Sequence, residues 1–314
     1  MINRILTSAQ AINEALAIAG ERDKNVLLMG QGIDDKGAFY GTTSGLQPIY
    51  GDRLIETPVS ENAMVGVAVG LAMSGKRPII QFHRVEFALL AMEQIINNAA
   101  KMHYISNGQH KCPIVIRMIV GRGWGQGPCH SQSLEAMFAY IPGLKVLMPT
   151  FPADYKGMLL AAIEDDNPVV IIEHRWTHYV KGHVPEGYYK DYVHPKLVKK
   201  GNGCTVVANC MNLLYAIKTP DADVFDLRIL RPLNCDAIIE SVKRTRSLII
   251  YDTGYSMYGV GAEIAARCLE ADIVFGMKRF GLPDHPIPSS RGYLPGLYPD
   301  GGGDQPNPEF VGPF

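Results

Sequence analysis

Along the chain, continuous β-branched apolar runs alternate with stretches of helical spacing. The runs are NVLLMG (25–30), RPIIQF (77–82), PIVIRMIV (113–120), LKVLMP (144–149) and NPVVIIEH (167–174). Strands that are apolar on both faces need cover on both, which a parallel sheet between helices provides. Helices are predicted at 61–74, 86–105, 131–141 and 153–165. Together these elements make one α/β domain over residues 1–178. Residues 179–200 (YVKGHVPEGYYKDYVHPKLVKK) are aromatic, basic and irregular, the composition of a linker. A second, smaller α/β domain over 201–281 is predicted from strands at 204–210, 221–230, 247–252 and 272–277, with helices at 235–245 and 259–270. From 282 to 314, eight prolines and a Gly-Gly-Gly exclude a long helix and leave a Pro/Gly-rich tail, either an ordered arm or partly disordered.

The stretch TPVSENAMVGVAVGLAMSG (57–75) carries one charge, Glu61, at the start of an otherwise apolar helix. Ser60 is placed to cap it and Gly75 to end it, with Pro58 and Pro78 outside. No polar stripe runs along it, so cover on all sides is expected, and Gly66 and Gly70 allow another backbone to approach. Glu61 on the first turn reads either as an acid compensating the helix dipole or as a functional carboxyl.

Composition sharpens this picture. Only 19% of the 314 residues are charged, against about 25% in ordinary soluble chains, which points to surface covered by another subunit. A net charge of −1 gives no electrostatic basis for nucleic-acid or anionic-membrane binding. No apolar run is long enough to span a bilayer and no secretory core opens the chain, so a cytoplasmic protein is expected. Six cysteines without a CxxC pair read as reduced core thiols.

Candidate chemistry gathers after the predicted strands. GRGWGQGPCHSQS (121–133) follows a strand and opens a helix, a place where backbone N–H groups converge on an anion, but its spacing is not the dinucleotide fingerprint. His130 ends that loop at the carboxyl edge of the sheet, where ligands bind. It reads either as a proton donor and acceptor for a bound carbonyl compound or as a cap for the 131–141 helix. Cys129 beside it points away on an extended segment. His174, His178 and His183 lack the helix placement and neighbouring acid of a familiar metal set. QFHRVEF (81–87) puts His83 and Arg84 just past a strand end.

TPVSENAMVGVAVGLAMSGKRPIIQF, EQIINNAAK (93–101), HSQSLEAMFAYIPGLKVLMP (130–149) and AAIEDDNPVVIIEH (161–174) resemble the beta subunit of thiamine-diphosphate-dependent 2-oxo acid dehydrogenases, a family related to the C-terminal half of transketolase. LRILRPLN (227–234) and SMYGVGAEIAA (256–266) extend the resemblance into the second domain. The resemblance implies a pyrimidine-binding domain followed by a transketolase C-terminal domain. It implies that Glu61 hydrogen-bonds the aminopyrimidine of thiamine diphosphate and helps deprotonate the thiazolium carbon, that Phe87 and His83 face the cofactor, and that His130 lies near the substrate carbonyl. Ile114, Ala162, Ile163, Asp165 and Asn167 match positions that hold a potassium ion, largely through backbone oxygens. The magnesium-binding GDG of thiamine enzymes is missing. Its one counterpart is GDR (51–53), and Asn97 is too distant. The resemblance therefore implies an alpha-type partner that carries the diphosphate and magnesium, in an α2β2 assembly with a beta–beta contact. A lipoyl-bearing acyltransferase would receive the acyl unit.

Three departures open an alternative. His83 stands where the dehydrogenases are commonly apolar, with Arg84 beside it, which suits a more polar or phosphorylated substrate. GPCHSQS mixes transketolase-like and dehydrogenase-like features, and the Pro-rich tail replaces the usual C-terminal helical region. The alternative is a subunit of a split transketolase-like enzyme that moves a two-carbon ketol unit from a sugar phosphate.

Overall fold

The structure is a computed structural model that describes residues 3–35, 37–122, 125–191 and 194–290. Its main sheet has seven strands in the spatial order Ile229–Arg231, Lys145–Leu147, Val169–His174, Val115–Val120, Arg77–Phe82, Val26–Gly30 and Leu54–Glu56. All pairs are parallel except the Ile229–Arg231 edge. Side chains alternate across the pleat. Leu28, Ile79, Val115 and Val169 pack under the Ser8–Arg22 and Pro152–Glu164 helices. Met29, Ile80, Ile116 and Val170 share the other face with Met64, Val65 and Ala68 of the Glu61–Met73 helix. A second sheet orders Gly276–Leu282, Ser247–Tyr255, Cys204–Ala208, Ala222–Asp226 and Lys196–Lys199.

Several expectations change on contact with the structure. The 179–200 stretch contains two strands. Lys181–Pro185 pairs antiparallel with Asn3–Thr7, and Lys196–Lys199 with Ala222–Asp226, so backbone pairing orders what composition read as linker. Residues 192 and 193 lie outside the described residues, as does the 291–314 part of the tail. The 221–230 run is two strands. Arg228 turns the chain at φ 53°, and Ile229–Arg231 crosses back to the edge of the first sheet. The last strand is Gly276–Leu282 rather than 272–277, because Asp272 turns at φ 56° and Gly276 is the first residue opposite Ser247.

Two helices are shorter or more broken than their spacing predicted. The 86–105 segment comprises Val85–Ala88, a 3₁₀ turn at Leu89–Ala91, a π-helical stretch at Gln94–Ala99 and Met102–Ile105. The 131–141 segment is helical only at Glu135–Ala139. The thiols are not all core. Cys112, Cys210, Cys235 and Cys268 are buried, but Cys129 is exposed and Cys204 half-buried. The Ser8–Arg22 helix was not foreseen, although Thr7 and Gln10 form a reciprocal capping box at its start.

Candidate active site

In a parallel sheet, residues that follow the strands collect at one edge. Glu61 follows the Leu54–Glu56 strand, His83, Arg84 and Phe87 follow Arg77–Phe82, and His130 follows Val115–Val120. Glu56, at its strand end, accepts the Gly32 and Ile33 N–H groups at 2.8 and 2.9 Å and holds the loop in which Gly32 has φ 60°. Ser60 is the N-cap residue of the Glu61 helix but makes no side-chain capping bond. Glu61 is 7% exposed, and its carboxylate has no hydrogen bond or ion pair among the described residues. The group sits on the first turn, where the helix dipole favours an anion, and at the edge of the sheet where ligands bind, so a bound ligand is a second reason for its presence.

His130 is half-buried and its ring meets Phe87 edge-on, with centroids 5.5 Å apart. The helix that it could have capped begins at Glu135, with Leu134 as N-cap, so the capping role is removed. Glu86, the neighbour of Phe87, accepts the Gln132 N–H at 2.6 Å and ties this loop to the strand end. Burial raises the Glu86 pKa, against the bond from Gln132 and the charges of Arg84 and His130. His83 packs at 5.1 Å from Phe39 and 6.2 Å from Tyr40. Burial lowers its pKa and Glu56 works the other way, so the ring is neutral at pH 7. Gly123 and Trp124 of the glycine-rich loop lie outside the described residues. Two clefts of about 880 and 530 Å³ lie between the sheets, lined by residues such as Tyr140, Arg231 and Tyr258. Neither is lined by Glu61, His83, Phe87 or His130.

Comparison with known proteins now decides the family. The family described as Transketolase, pyrimidine binding domain, matches residues 5–178, and Transketolase, C-terminal domain, matches 196–298. The beta subunit of acetoin:2,6-dichlorophenolindophenol oxidoreductase from Cupriavidus necator is 35% identical, covering 91% of each chain. The pyruvate dehydrogenase E1 component subunit beta of Rickettsia felis is 38% identical over 83% of each chain. The chain belongs to the thiamine-dependent 2-oxo acid dehydrogenase beta-subunit family. Its fold is also that of a solved split-gene transketolase, described as an inactive beta4 tetramer, at TM-score 0.70 and 21% identity over 90% of this chain and 91% of that one.

Of the five residues of this beta-type chain matched to a potassium site, Ala162, Ile163, Asp165 and Asn167 share the end of one helix and the turn after it, and Ile114 is linked to that turn through Val169. The Ala162 carbonyl accepts the Asp165 N–H, and those of Ile163 and Asp165 accept Arg77 Nη1 at 3.0 and 3.1 Å. The Ile114 carbonyl accepts the Val169 N–H, and Asp165 Oδ1 accepts both N–H groups of Asn167. Each carbonyl retains a second lone pair. Around GDR the picture is different. Arg53 donates to the carbonyls of Gly20, Asp23, Val26 and Ile49, which makes this segment a brace between helix and sheet.

Sequence reasoning passed over Arg117, Glu173 and Glu86. Arg117 and Glu173 were legible in principle, as opposite charges inside two otherwise apolar strands. Glu86 was not, because nothing in its spacing links the turn after one strand with the loop after another.

Proposed function

We propose that this chain is the cofactor-activating half of a thiamine-diphosphate-dependent 2-oxo acid dehydrogenase, completed by an alpha-type partner that carries the diphosphate and magnesium. The observation that carries the reading is Glu61, a nearly buried carboxylate with no protein partner at the ligand edge of the sheet. Its missing partner is supplied by a ring nitrogen of the pyrimidine, with which it exchanges a proton. When bound, thiamine diphosphate supplies a carbon nucleophile for the 2-oxo group and a place for the acyl unit once carbon dioxide has left. Phe87 and His83 border the ring. His130, held against Phe87, moves a proton at the substrate carbonyl oxygen, and a lipoyl-bearing acyltransferase takes the acyl unit.

Assembly follows from the same helix. Expected to be covered on all sides, it instead exposes Ala63, Val67 and Gly70 on the single chain, with Val67 at 56%. A Cβ added at Gly70 would meet nothing within 4 Å. We assign this face to the beta–beta contact of an α2β2 heterotetramer. The carbonyl cluster at 114 and 162–167 fits a structural potassium ion. No helix among the described residues is long and apolar enough to cross a membrane, and six free cysteines suit the reducing cytoplasm, where we place the protein.

The test is ferricyanide reduction by this chain mixed with its alpha-type partner, thiamine diphosphate and magnesium, offered 2-oxo acids or ketose phosphates. Oxidation driven by a 2-oxo acid is expected, with a loss of at least about a hundredfold in Glu61→Ala, as for removal of a proton-transfer group. An assembled Glu61→Ala complex of normal activity would exclude the reading. Turnover with a ketose phosphate alone would favour the second reading, a split transketolase subunit, for which Arg84 and His83 speak.

A further inference from the structure

The segment that carries His130 has little of its own to hold it. Gly127 turns the chain before it at φ 69°, and helix begins only at Glu135. Between Pro128 and Ser133 the chain makes two hydrogen bonds among the described residues. The His130 N–H donates to the Gly127 carbonyl at 3.4 Å, a weak bond. The Gln132 N–H donates to Glu86 Oε1 at 2.6 Å, short as bonds to a carboxylate are. Glu86 and Phe87 are consecutive on the Val85–Ala88 turn and grip this segment at two points. Phe87 holds it by its ring, edge-on to that of His130 at 5.5 Å, and Glu86 by the backbone two residues further on.

Stability is a poor account of a carboxylate at this place. Glu86 is 8% exposed, and its Oε2 is buried with no hydrogen-bond partner among the described residues. Burial raises its pKa, and the bond from Gln132 and the charges of Arg84 and His130 offset only part of that cost. An apolar side chain of the same volume would avoid the cost but leave the Gln132 N–H without its acceptor. What Glu86 provides in return is a fixed place for the 130–132 backbone beside Phe87, at the ligand edge of the sheet. We propose that Glu86 is a positioning residue for His130, setting where the imidazole stands through its bond from the Gln132 N–H. The proposal deepens the function above and rests on it for the role of His130. Proton transfer demands close alignment, and about 1 Å of misplacement can lower a rate by about a hundredfold. The bond from Gln132 acts on the loop and not on the substrate, so its loss falls on the chemical step rather than on substrate binding.

Two variants separate the acceptor from the charge. Glu86→Met fills the same space without an acceptor, and Glu86→Gln keeps an oxygen for the Gln132 N–H but no charge. In the complex with the alpha-type partner, thiamine diphosphate and magnesium, Glu86→Met is expected to lose at least about tenfold in kcat with KM within about threefold, whereas Glu86→Gln keeps at least about a third of the native kcat. Position is also read without turnover, by NMR of the full-length chain carrying ¹³C-labelled histidine. The His130 ring signal, identified by its absence in His130→Asn, is displaced by the Phe87 ring, and Phe87→Leu gives its undisplaced position. Glu86→Met should carry the signal at least about half of the way to that position, and Glu86→Gln should leave it near the native one. Should Glu86→Met not fold, Glu86→Asp serves instead, one carbon too short to reach the Gln132 N–H, with the same losses expected. The proposal is overturned by an unmoved His130 signal in the folded variant that lacks the acceptor, by a native kcat in that variant, or by Glu86→Gln as slow as it. A native complex that turns over neither a 2-oxo acid nor a ketose phosphate would sink the function above, while the His130 signal would still decide the position.

Discussion

Arg117 and Glu173 face each other from adjacent strands with side chains 0% and 1% exposed. Arg117 donates from Nε and Nη2 to the two carboxylate oxygens at 2.5 and 3.0 Å, and its remaining donors reach Gln81 and Thr42. His178 Nε2 lies 2.8 Å from the same carboxylate. Burial would raise the Glu173 pKa, but the charge of Arg117 and the bonds from His178 and Arg117 outweigh it and hold it at about 2. The pair therefore stabilises the fold above the unfolded carboxyl value of about 4.3, and this contribution is lost as pH falls towards 2. Glu173→Gln leaves a buried guanidinium uncompensated. It is expected to cost about 3 to 5 kcal/mol, seen as a melting point lower by roughly 10 °C at pH 7. A shift under 2 °C would mean that water reaches Arg117. At this scale sequence was a good guide wherever a residue broke its local pattern. Glu61 stood out as the one charge in an apolar helix, and His83 as a polar residue at a strand end. Glu86 sits in an unremarkable turn, and only the Gln132 N–H, more than forty positions away, gives it meaning.

The strands that carry the site were legible because they are buried on both faces, and burial writes an apolar run into any sequence. Short edge strands carry no such signature. Ile229–Arg231 and Lys196–Lys199 exist because a neighbour offers an unpaired edge, and the neighbour of the first belongs to the other sheet. The 86–105 segment failed for a different reason. Helical periodicity locates apolar residues but cannot reveal i→i+5 bonding, here at Gln94–Ala99, where the Asn98 amide turns back to Glu93 and Gln94. The end of this segment is fixed by Gly143, at φ 99°, in the turn before the Lys145–Leu147 strand. A Cβ there would fall on the carbonyl oxygen of Ala100. Gly143→Ala thus meets both a left-handed backbone and a rigid neighbour, and should destabilise by about 2 to 4 kcal/mol, more than an ordinary surface change. Thermal melting that matches the native chain would show that the Ala100 turn can yield.

Between the two sheets, the Asp226 carboxylate at the end of a second-sheet strand accepts the Thr150 hydroxyl at 3.2 Å. Burial and the nearby Asp154 raise its pKa to about 8, against the charge of Arg228. The folded chain then holds a proton that the unfolded chain, titrating near 3.9, has released, so stability falls as pH rises from about 4 to 8. Asp226→Asn removes this dependence and should raise the melting point more at pH 8 than at pH 5, by roughly 2 to 6 °C. Equal shifts at both pH values would place the proton elsewhere, on Asp154 for example. The low charge content read from composition has its counterpart in apolar side chains left open to water, with Val59 at 81%, Tyr104 at 87% and Val67 at 56% exposed. Of these, Val67 alone sits on the helix that begins with Glu61, between Gly66 and Gly70, so contact between subunits there would also fix the angle at which the carboxyl meets its ligand. Val67→Asp changes a side chain that the single chain does not bury, and folding should be affected by less than about 0.5 kcal/mol. A charge facing its own copy across a two-fold contact would nevertheless be hard to accommodate. Sedimentation of the purified chain should therefore show a dimer or larger species for the native sequence and a monomer for the variant, with unchanged circular dichroism. If both sediment alike, the glycine-lined face is not the subunit contact, and the exposed residues of the 104–105 and 257–258 segments become the next to be substituted.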